Sequence, residues 1–172
     1  MPRDARIDVA KQWYHVIARG RRRSSLFFDA HDKRHYLQIL SEILQRNQAD
    51  LAAYCLMTSH VHLLIYRRDR SLGTIFRQAH MMYATYFNQR HRKVGYVFQG
   101  RFKSKLIADE HYLLELCYYI HMNPIKAKMC TLIDEYSWSS HHHYKNQNTC
   151  FEIPPKPAPA ADAVLEFLQT LL

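Results

Sequence analysis

Glycine and paired cysteine are scarce in this 172-residue sequence, and their scarcity excludes several classes of protein. The four glycines form no cluster, so there is neither a P-loop nor a dinucleotide-binding fingerprint. The four cysteines form no C-x-x-C pair, which argues against a zinc ribbon or a disulfide framework and is typical of a reducing cytoplasm. No apolar run approaches the roughly 20 residues of a membrane-spanning helix. The opening segment MPRDARIDVAKQW lacks an apolar signal region, so we expect neither secretion nor a membrane partner.

Positive charge is abundant and lies mainly in the first part of the chain. Residues 1–108 hold 20 basic and 7 acidic residues, whereas residues 109–172 hold 4 and 8. This imbalance predicts a polyanionic partner, nucleic acid before an anionic membrane surface. Aromatic residues lie between the basic clusters, which suits phosphate contacts with stacked bases; the alternative is a solubilising surface. The candidate DNA-binding residues are Arg19, Arg21, Arg22, Arg23, Arg101, Lys103 and Lys105.

The hydrophobic pattern predicts a single domain over residues 1–150. We expect strands at 13–18, 50–57, 61–67 and 97–107, the last with a basic outer face. Helices are expected from Asp29 or Asp32 to about 47, over 72–92, and from about 110 with Asp109 as N-cap. This order favours an α+β fold, a ferredoxin-like sandwich with helices packed mainly on one face of an antiparallel sheet. Residues 141–143 are expected in a surface loop, and 151–172 in a Pro-rich linker and a short C-terminal helix.

His60 and His62 are the first candidates for chemistry. Side chains two residues apart on a strand point to the same side, so the two imidazoles share a face with Leu64 and Tyr66. Such a pair can bind one metal ion, and its position beside a turn is where a site is expected. The alternative is two ordinary histidines on a surface strand.

The helix predicted after residue 109 supplies the second set of candidates. A helical wheel places Tyr119 and Asn123 together at the edge of the buried stripe and Tyr118 toward solvent. The alternative is that both tyrosines are packing residues. The predicted buried stripe consists of Leu113, Leu116, Cys117, Ile120 and Pro124.

Four segments in order resemble the REP-associated tyrosine transposases, which belong to the single-tyrosine HUH transposases (H is His and U an apolar residue). They are AYCLMTSHVHLLI, YFNQRHRKVGYVFQGRFKS, YYIHMNPIKA and YSWSS. The resemblance extends from about Trp13 to about Tyr144. The family's usual turn before its first histidine is Pro-Asn, whereas Thr58-Ser59 stands here.

The resemblance implies a metal-dependent endonuclease and strand transferase that acts on single-stranded DNA hairpins of REP-type palindromes. His60, His62 and Asn123 match the residues that bind Mg²⁺ or Mn²⁺, and Tyr119 matches the nucleophile that forms a 5′-phosphotyrosine. Glu115 is a candidate general base. The resemblance also implies a bacterial, DNA-associated protein of the cytoplasm, monomeric or homodimeric, that uses no nucleotide cofactor.

Two other functions remain open at the level of sequence. The first is a non-catalytic nucleic-acid-binding regulator that retains the fold. The second is a zinc hydrolase that uses His60, His62 and a further histidine.

Overall fold

The computed structural model describes residues 8–145 of the chain. The strands are Gln12–Arg19 (β1), Asp50–Leu56 (β2), His60–Arg67 (β3) and Lys103–Ile107 (β4). The helices are Ala30–Arg46 (α1), Leu72–His91 (α2), Glu110–His121 (α3), Asn123–Lys126 (α4) and His141–Lys145 (α5), with 3₁₀ turns at Arg21–Arg23 and Ile133–Glu135. The linker and terminal helix predicted over 151–172 lie outside the described residues.

The four strands form one antiparallel sheet in the order β2-β3-β1-β4. The chain runs strand, helix, strand, strand, helix, strand, so each long helix connects two strands that have a third strand between them. This is the split βαβ arrangement of ferredoxin-like folds. The predicted α+β class with an antiparallel sheet is confirmed.

Helices cover both faces of the sheet. One face presents residues such as Val16 and Leu63 to α1 and α2, and together they form the larger core. The opposite face presents Leu64 and Ile107 to α3, whose Cys117 belongs to a second core. The two long helices therefore pack on one face as expected, and α3 is added on the other. Because β2 and the middle of β3 are buried on both faces, residues 51–56 and 63–65 are apolar without a break rather than alternating.

Two helices begin at side-chain caps. Asp29, one of the two predicted starts of α1, accepts a hydrogen bond from the backbone N–H of Asp32. Asp32 is instead buried, where it accepts hydrogen bonds from the Phe28 backbone N–H and from Arg90. Ser71 caps α2 in the same way through the N–H of Thr74. No helix within residues 8–145 has the length and apolarity needed to cross a membrane.

The strand predicted over 97–107 is shorter in the structure and covers only Lys103–Ile107. Gly100 has a φ of +147°, a left-handed conformation that breaks the extended run, and Phe98 contributes only an isolated bridge to Gly20. Phe98 and Phe102 are nevertheless buried in the larger core. The predicted burial of these apolar residues is therefore confirmed, and the predicted continuous strand over 97–107 is wrong.

The prediction of a surface loop at residues 141–143 is wrong. These residues begin α5, and His141 is 5% exposed with its Nε2 3.0 Å from Asp134 Oδ1. The reason is the preceding segment: Ser139 pairs with Cys55 at the edge of β2, and this pairing brings His141 beside the buried His121.

We expect acid to destabilise the fold through His121. Burial, assisted by the neighbouring histidines, lowers the pKa of His121 from 6.5 to about 3. A histidine whose folded-state pKa is lowered contributes its full stability above the unfolded value, and this contribution is lost as the pH falls below 6.5. The loss amounts to about 1.4 kcal/mol per pH unit. Thermal melts of His121→Gln between pH 7 and pH 5 should show a shallower decline than the wild-type protein.

Glutamine is chosen because it retains a polar group for Ser140 Oγ, which lies 2.7 Å from His121 Nε2. The matched control is His31→Gln at an exposed position of α1. Equal pH dependence in the wild-type protein and in His121→Gln would contradict the assignment.

Candidate active site

His60 and His62 lie at the start of β3 on the face of the sheet that α3 partly covers. Their ring centroids are 5.0 Å apart. In the pairing of β3 with β1, Arg19 stands opposite His60 and Ile17 opposite His62, and directly paired residues share a face. The structure thus confirms the predicted common face of the two imidazoles and brings Arg19 to it.

A third histidine belongs to this cluster and was missed by the sequence reasoning. His15 on β1 lies with its Nε2 3.0 Å from Nδ1 of His62, and the two rings stack with centroids 5.3 Å apart. The available signal was the strand WYHVIA, in which His15 shares a face with Trp13 and Ile17. The sequence gives no register between β1 and β3, so the contact itself could not be predicted.

The Nδ1 atoms of both β3 histidines are engaged by neighbours. Ser59 Oγ lies 3.3 Å from Nδ1 of His60, and His15 occupies Nδ1 of His62. Within residues 8–145 the Nε2 atoms have no hydrogen-bond partner. Ser59 belongs to the Thr58-Ser59 turn, which replaces the Pro-Asn turn usual in the resembled family. Its hydroxyl contacts the imidazole of the next residue, His60.

Both β3 histidines are neutral at neutral pH. Burial, together with the nearby His15, His60 and Arg19, lowers the pKa of His62 from 6.5 to about 3. Burial and then the charge of Arg19 lower the pKa of His60. A neutral imidazole can offer a nitrogen lone pair to a metal ion, which a protonated ring cannot.

Tyr119 stands on α3 directly beside the histidines. Its ring centroid is 6.0 Å from that of His62 and 6.2 Å from that of His15, in edge-on geometry. The side chain is 39% exposed, so a substrate in solution can reach it. Lys126 on α4 places its Nζ 4.5 Å from the centre of the same ring. This is a cation–π contact.

The neighbouring tyrosine is placed differently from the prediction. Tyr118 is half-buried against the second core instead of facing solvent. The chain after α4 folds back over α3 and adds Tyr136 and Tyr144 to that core, which a wheel of an isolated helix cannot show. The predicted stripe itself is confirmed, since its members are buried: Leu113, Leu116, Cys117, Ile120 and Pro124.

Asn123 connects the end of α3 to the start of α4. Its Nδ2 donates to the backbone carbonyls of Tyr119 at 2.8 Å and Ile120 at 3.2 Å. These bonds satisfy carbonyls that a helix end leaves unpaired, and they leave Oδ1 as the atom that could bind a cation. Glu115 is exposed one turn before Tyr119, and its role as a base stays a prediction.

A basic groove of about 420 Å³ adjoins the histidines. It is lined by Ile17, Arg19, Arg23, Gln99, Gly100, Arg101, Phe102 and Lys103. Four of the predicted DNA-binding residues are therefore gathered in one place. The remaining three do not line the groove; Lys105 lies opposite His15 on β4 and its Nζ donates to the Tyr112 hydroxyl at 3.1 Å.

The YSWSS segment supports the strand that leads to the site. Tyr136 donates its hydroxyl to the Leu56 carbonyl at 2.7 Å, and the Leu56 N–H donates to the Trp138 carbonyl at 2.9 Å. Ser140 Oγ accepts from the Tyr54 N–H at 2.8 Å. These bonds complete the edge of β2 just before the turn that carries Ser59 and His60.

The sequence matches the family model described as Transposase IS200 like over residues 8–123. This match covers more than half of the chain, and the chain therefore belongs to the IS200-like transposase family. The matched range begins before β1 and ends at Asn123, so it includes the histidine cluster and Tyr119. No curated protein matches the sequence significantly.

A solved structure shares the fold. The structure of a REP-associated tyrosine transposase bound to a REP hairpin is similar with a TM-score of 0.73, 14% identity and coverage of 92% of both chains. A candidate transposase from Deinococcus radiodurans R1 is 24% identical, with 69% of this chain and 95% of that one covered and a TM-score of 0.47. The first likeness confirms the α+β fold expected for a tyrosine transposase.

The donor set of the site fits a divalent cation. Two neutral imidazoles with unengaged Nε2 atoms lie on one face, and the Asn123 amide oxygen is available one helical turn after Tyr119. Within the described part of the chain no three His, Cys, Asp or Glu side chains are arranged to hold one ion. The protein would therefore leave coordination positions for other ligands, as in catalytic rather than structural sites.

The capping bonds of Asn123 can be tested without metal. Asn123→Ala removes two hydrogen bonds at the α3–α4 junction, and we expect the free energy of unfolding to fall by about 1 kcal/mol. Urea unfolding in the presence of a chelator measures the change. Gln38→Ala, at an exposed position of α1, is the control. If the two variants are equally stable, the cap contributes nothing.

Proposed function

We propose that this IS200-like transposase is a metal-dependent single-stranded DNA endonuclease and strand transferase that acts on hairpins of REP-type palindromes. The observation that carries the proposal is the position of Tyr119, half-exposed and 6.0 Å from the His62 ring. On this proposal, one scissile phosphate contacts both the Tyr119 hydroxyl and a cation held by the two histidines. The similar structure that contains a REP hairpin supports the choice of substrate.

The proposed cleavage is a transesterification. The Tyr119 hydroxyl loses its proton as its Oη attacks the phosphorus in line, and the bond from phosphorus to the 3′ oxygen breaks. That oxygen takes up a proton to become a free 3′-hydroxyl, so the step has no net change in protons. The 5′ phosphate is then esterified to the tyrosine. Attack by a 3′-hydroxyl on this ester reverses the step and joins strands, so no nucleotide is consumed.

The chain's own residues orient this reaction. His60 and His62, with Asn123, would hold the cation, which when bound polarises the scissile phosphate and stabilises the charge that develops on it. Lys126, whose Nζ lies 4.5 Å from the centre of the Tyr119 ring, adds a positive charge beside the proposed nucleophile. The groove lined by Arg19 receives the sugar-phosphate backbone of the DNA strand that enters the site.

Removal of the nucleophile provides the direct test. Tyr119→Phe retains the ring but lacks the attacking oxygen, so the covalent protein–DNA adduct should disappear. The wild-type protein is incubated with a labelled REP-type hairpin oligonucleotide and Mn²⁺, and the adduct is detected by denaturing gel electrophoresis.

Tyr118→Phe is the matched control, because it removes a hydroxyl from the adjacent, half-buried tyrosine. It should retain the adduct. An adduct that survives Tyr119→Phe but not Tyr118→Phe would assign the nucleophile to the other residue. A wild-type protein that binds the hairpin but never cleaves it would favour the non-catalytic regulator.

The lining of the groove predicts which arginine side chains contact the DNA backbone. Arg19→Ala and Arg101→Ala each remove one charge from its lining, and each should weaken hairpin binding. Loss of one phosphate contact also lowers the slope of log affinity against log salt concentration by about 0.7 for a single strand. Fluorescence anisotropy at several salt concentrations measures both quantities. Arg46→Ala, at the exposed end of α1, should leave both the affinity and its salt dependence unchanged. An equal effect of all three variants would refute the assignment of the groove as the DNA-binding surface.

A further inference from the structure

We infer that His15 is a positioning residue that fixes the tautomer of His62, so that the Nε2 of His62 presents its lone pair to the cation. The carrying observation is the 3.0 Å contact between His15 Nε2 and His62 Nδ1. This inference rests on the proposed function, because it assigns a role within the same site.

A hydrogen bond between two neutral imidazole nitrogens requires that only one of them carries the hydrogen. If His15 Nε2 carried it, the hydrogen of His62 would be on its own Nε2, and that ring could not bind a metal there. If His62 Nδ1 carries it, His15 Nε2 accepts and the Nε2 of His62 is left as a lone pair. Only the second arrangement is compatible with a metal-binding His62.

The neighbouring histidine is held by the same kind of contact. Ser59 Oγ lies 3.3 Å from Nδ1 of His60, and a hydroxyl oxygen can accept the Nδ1 hydrogen as a ring nitrogen can. Both rings are thus engaged at Nδ1, which leaves both Nε2 atoms for one ion. Acceptors placed behind metal-binding histidines in this way set ring orientation and raise ligand basicity.

The location of His15 gives this contact rigidity. His15 lies on the central strand β1, which pairs with β3 on one side and β4 on the other. Its ring is stacked on His62 and meets Tyr119 edge-on, with centroids 6.2 Å apart. The side chain is half-buried, so water competes only in part for its Nε2.

The test uses the full chain, metal-free and labelled with ¹⁵N. Long-range ¹H–¹⁵N spectra report the tautomer of each imidazole, and the His62 signals are assigned by their loss in His62→Ala. We expect His62 to carry its hydrogen on Nδ1 in the wild-type protein. In His15→Leu the acceptor is gone, so the His62 signals should shift toward a mixture of tautomers. His15→Gln supplies an amide oxygen near the same position and should restore the wild-type pattern.

Binding of Mn²⁺ alone, measured by isothermal titration calorimetry, provides a second readout. His15→Leu should weaken it by about 10- to 100-fold, the usual effect of losing such a partner, and His15→Gln should recover most of the loss. The control is His35→Leu, since His35 is a half-buried histidine on α1 that stacks on Tyr86, away from the site. Its substitution should leave the His62 tautomer and the Mn²⁺ affinity unchanged.

A His62 that carries its hydrogen on Nε2 in the wild-type protein would overturn the inference, and this observation does not require any His15 variant to fold. An unchanged tautomer or an unchanged Mn²⁺ affinity in His15→Leu would overturn it as well. Failure of the proposed function is distinguishable, because a protein with the expected tautomer and Mn²⁺ binding that forms no DNA adduct would refute cleavage and retain the role of His15.

Discussion

The pairing of β1 with β3 is the constraint on which the rest of the site depends. These are the two central strands, and their register places Ile17 opposite His62 and Arg19 opposite His60. A shift by one residue would turn every β1 side chain to the other face. His15 would then leave His62, and Arg19 would leave the groove. The register is held by the alternation itself, because Tyr14 and Val16 must enter the larger core.

The same constraint explains how one sheet carries both a core and a site. α1 and α2 cover one face completely, whereas α3 covers the other only in part, over Leu64 and Ile107. The end of this second face beyond those contacts holds the groove and the histidines, where His62 is 4% exposed and His60 is half-buried. α3 packs over the rest of this face and ends just before Asn123, so Tyr119 lies at the boundary between the second core and solvent. Its partial exposure is therefore a consequence of how α3 packs.

The sequence predicts those features that depend on local periodicity. His60 and His62 follow from period two along a strand, and the stripe around Cys117 follows from the helical repeat. The assignment of Tyr119 as nucleophile needed the family resemblance as well, since periodicity alone placed it only at the edge of a core.

Features that depend on distant parts of the chain could not be predicted. His15 and His62 are 47 residues apart, and only the strand register brings them together. Tyr118 becomes half-buried because Tyr136 and Tyr144 return over α3. The strand before Lys103 ends early because Gly100 adopts a positive φ, which an alternating pattern does not reveal. In each case the local pattern was sound and a non-local contact or a backbone conformation decided the outcome.

Charge connects the groove to the histidines. Burial is the main reason that the pKa values of His60 and His62 are lowered, and Arg19, which lines the groove, lowers them as well. A side chain that attracts the DNA backbone thus helps to keep both rings in the neutral form that can bind metal. The same positive charge repels a divalent cation from the site. On the proposed function, a bound DNA strand offsets this repulsion because its phosphates neutralise the positive charge of the groove. The phosphates would also supply oxygen ligands to a metal ion for which the proposed protein ligands are two imidazoles and one amide. Metal and DNA binding then favour each other by an equal free energy, as linkage requires of any two coupled ligands.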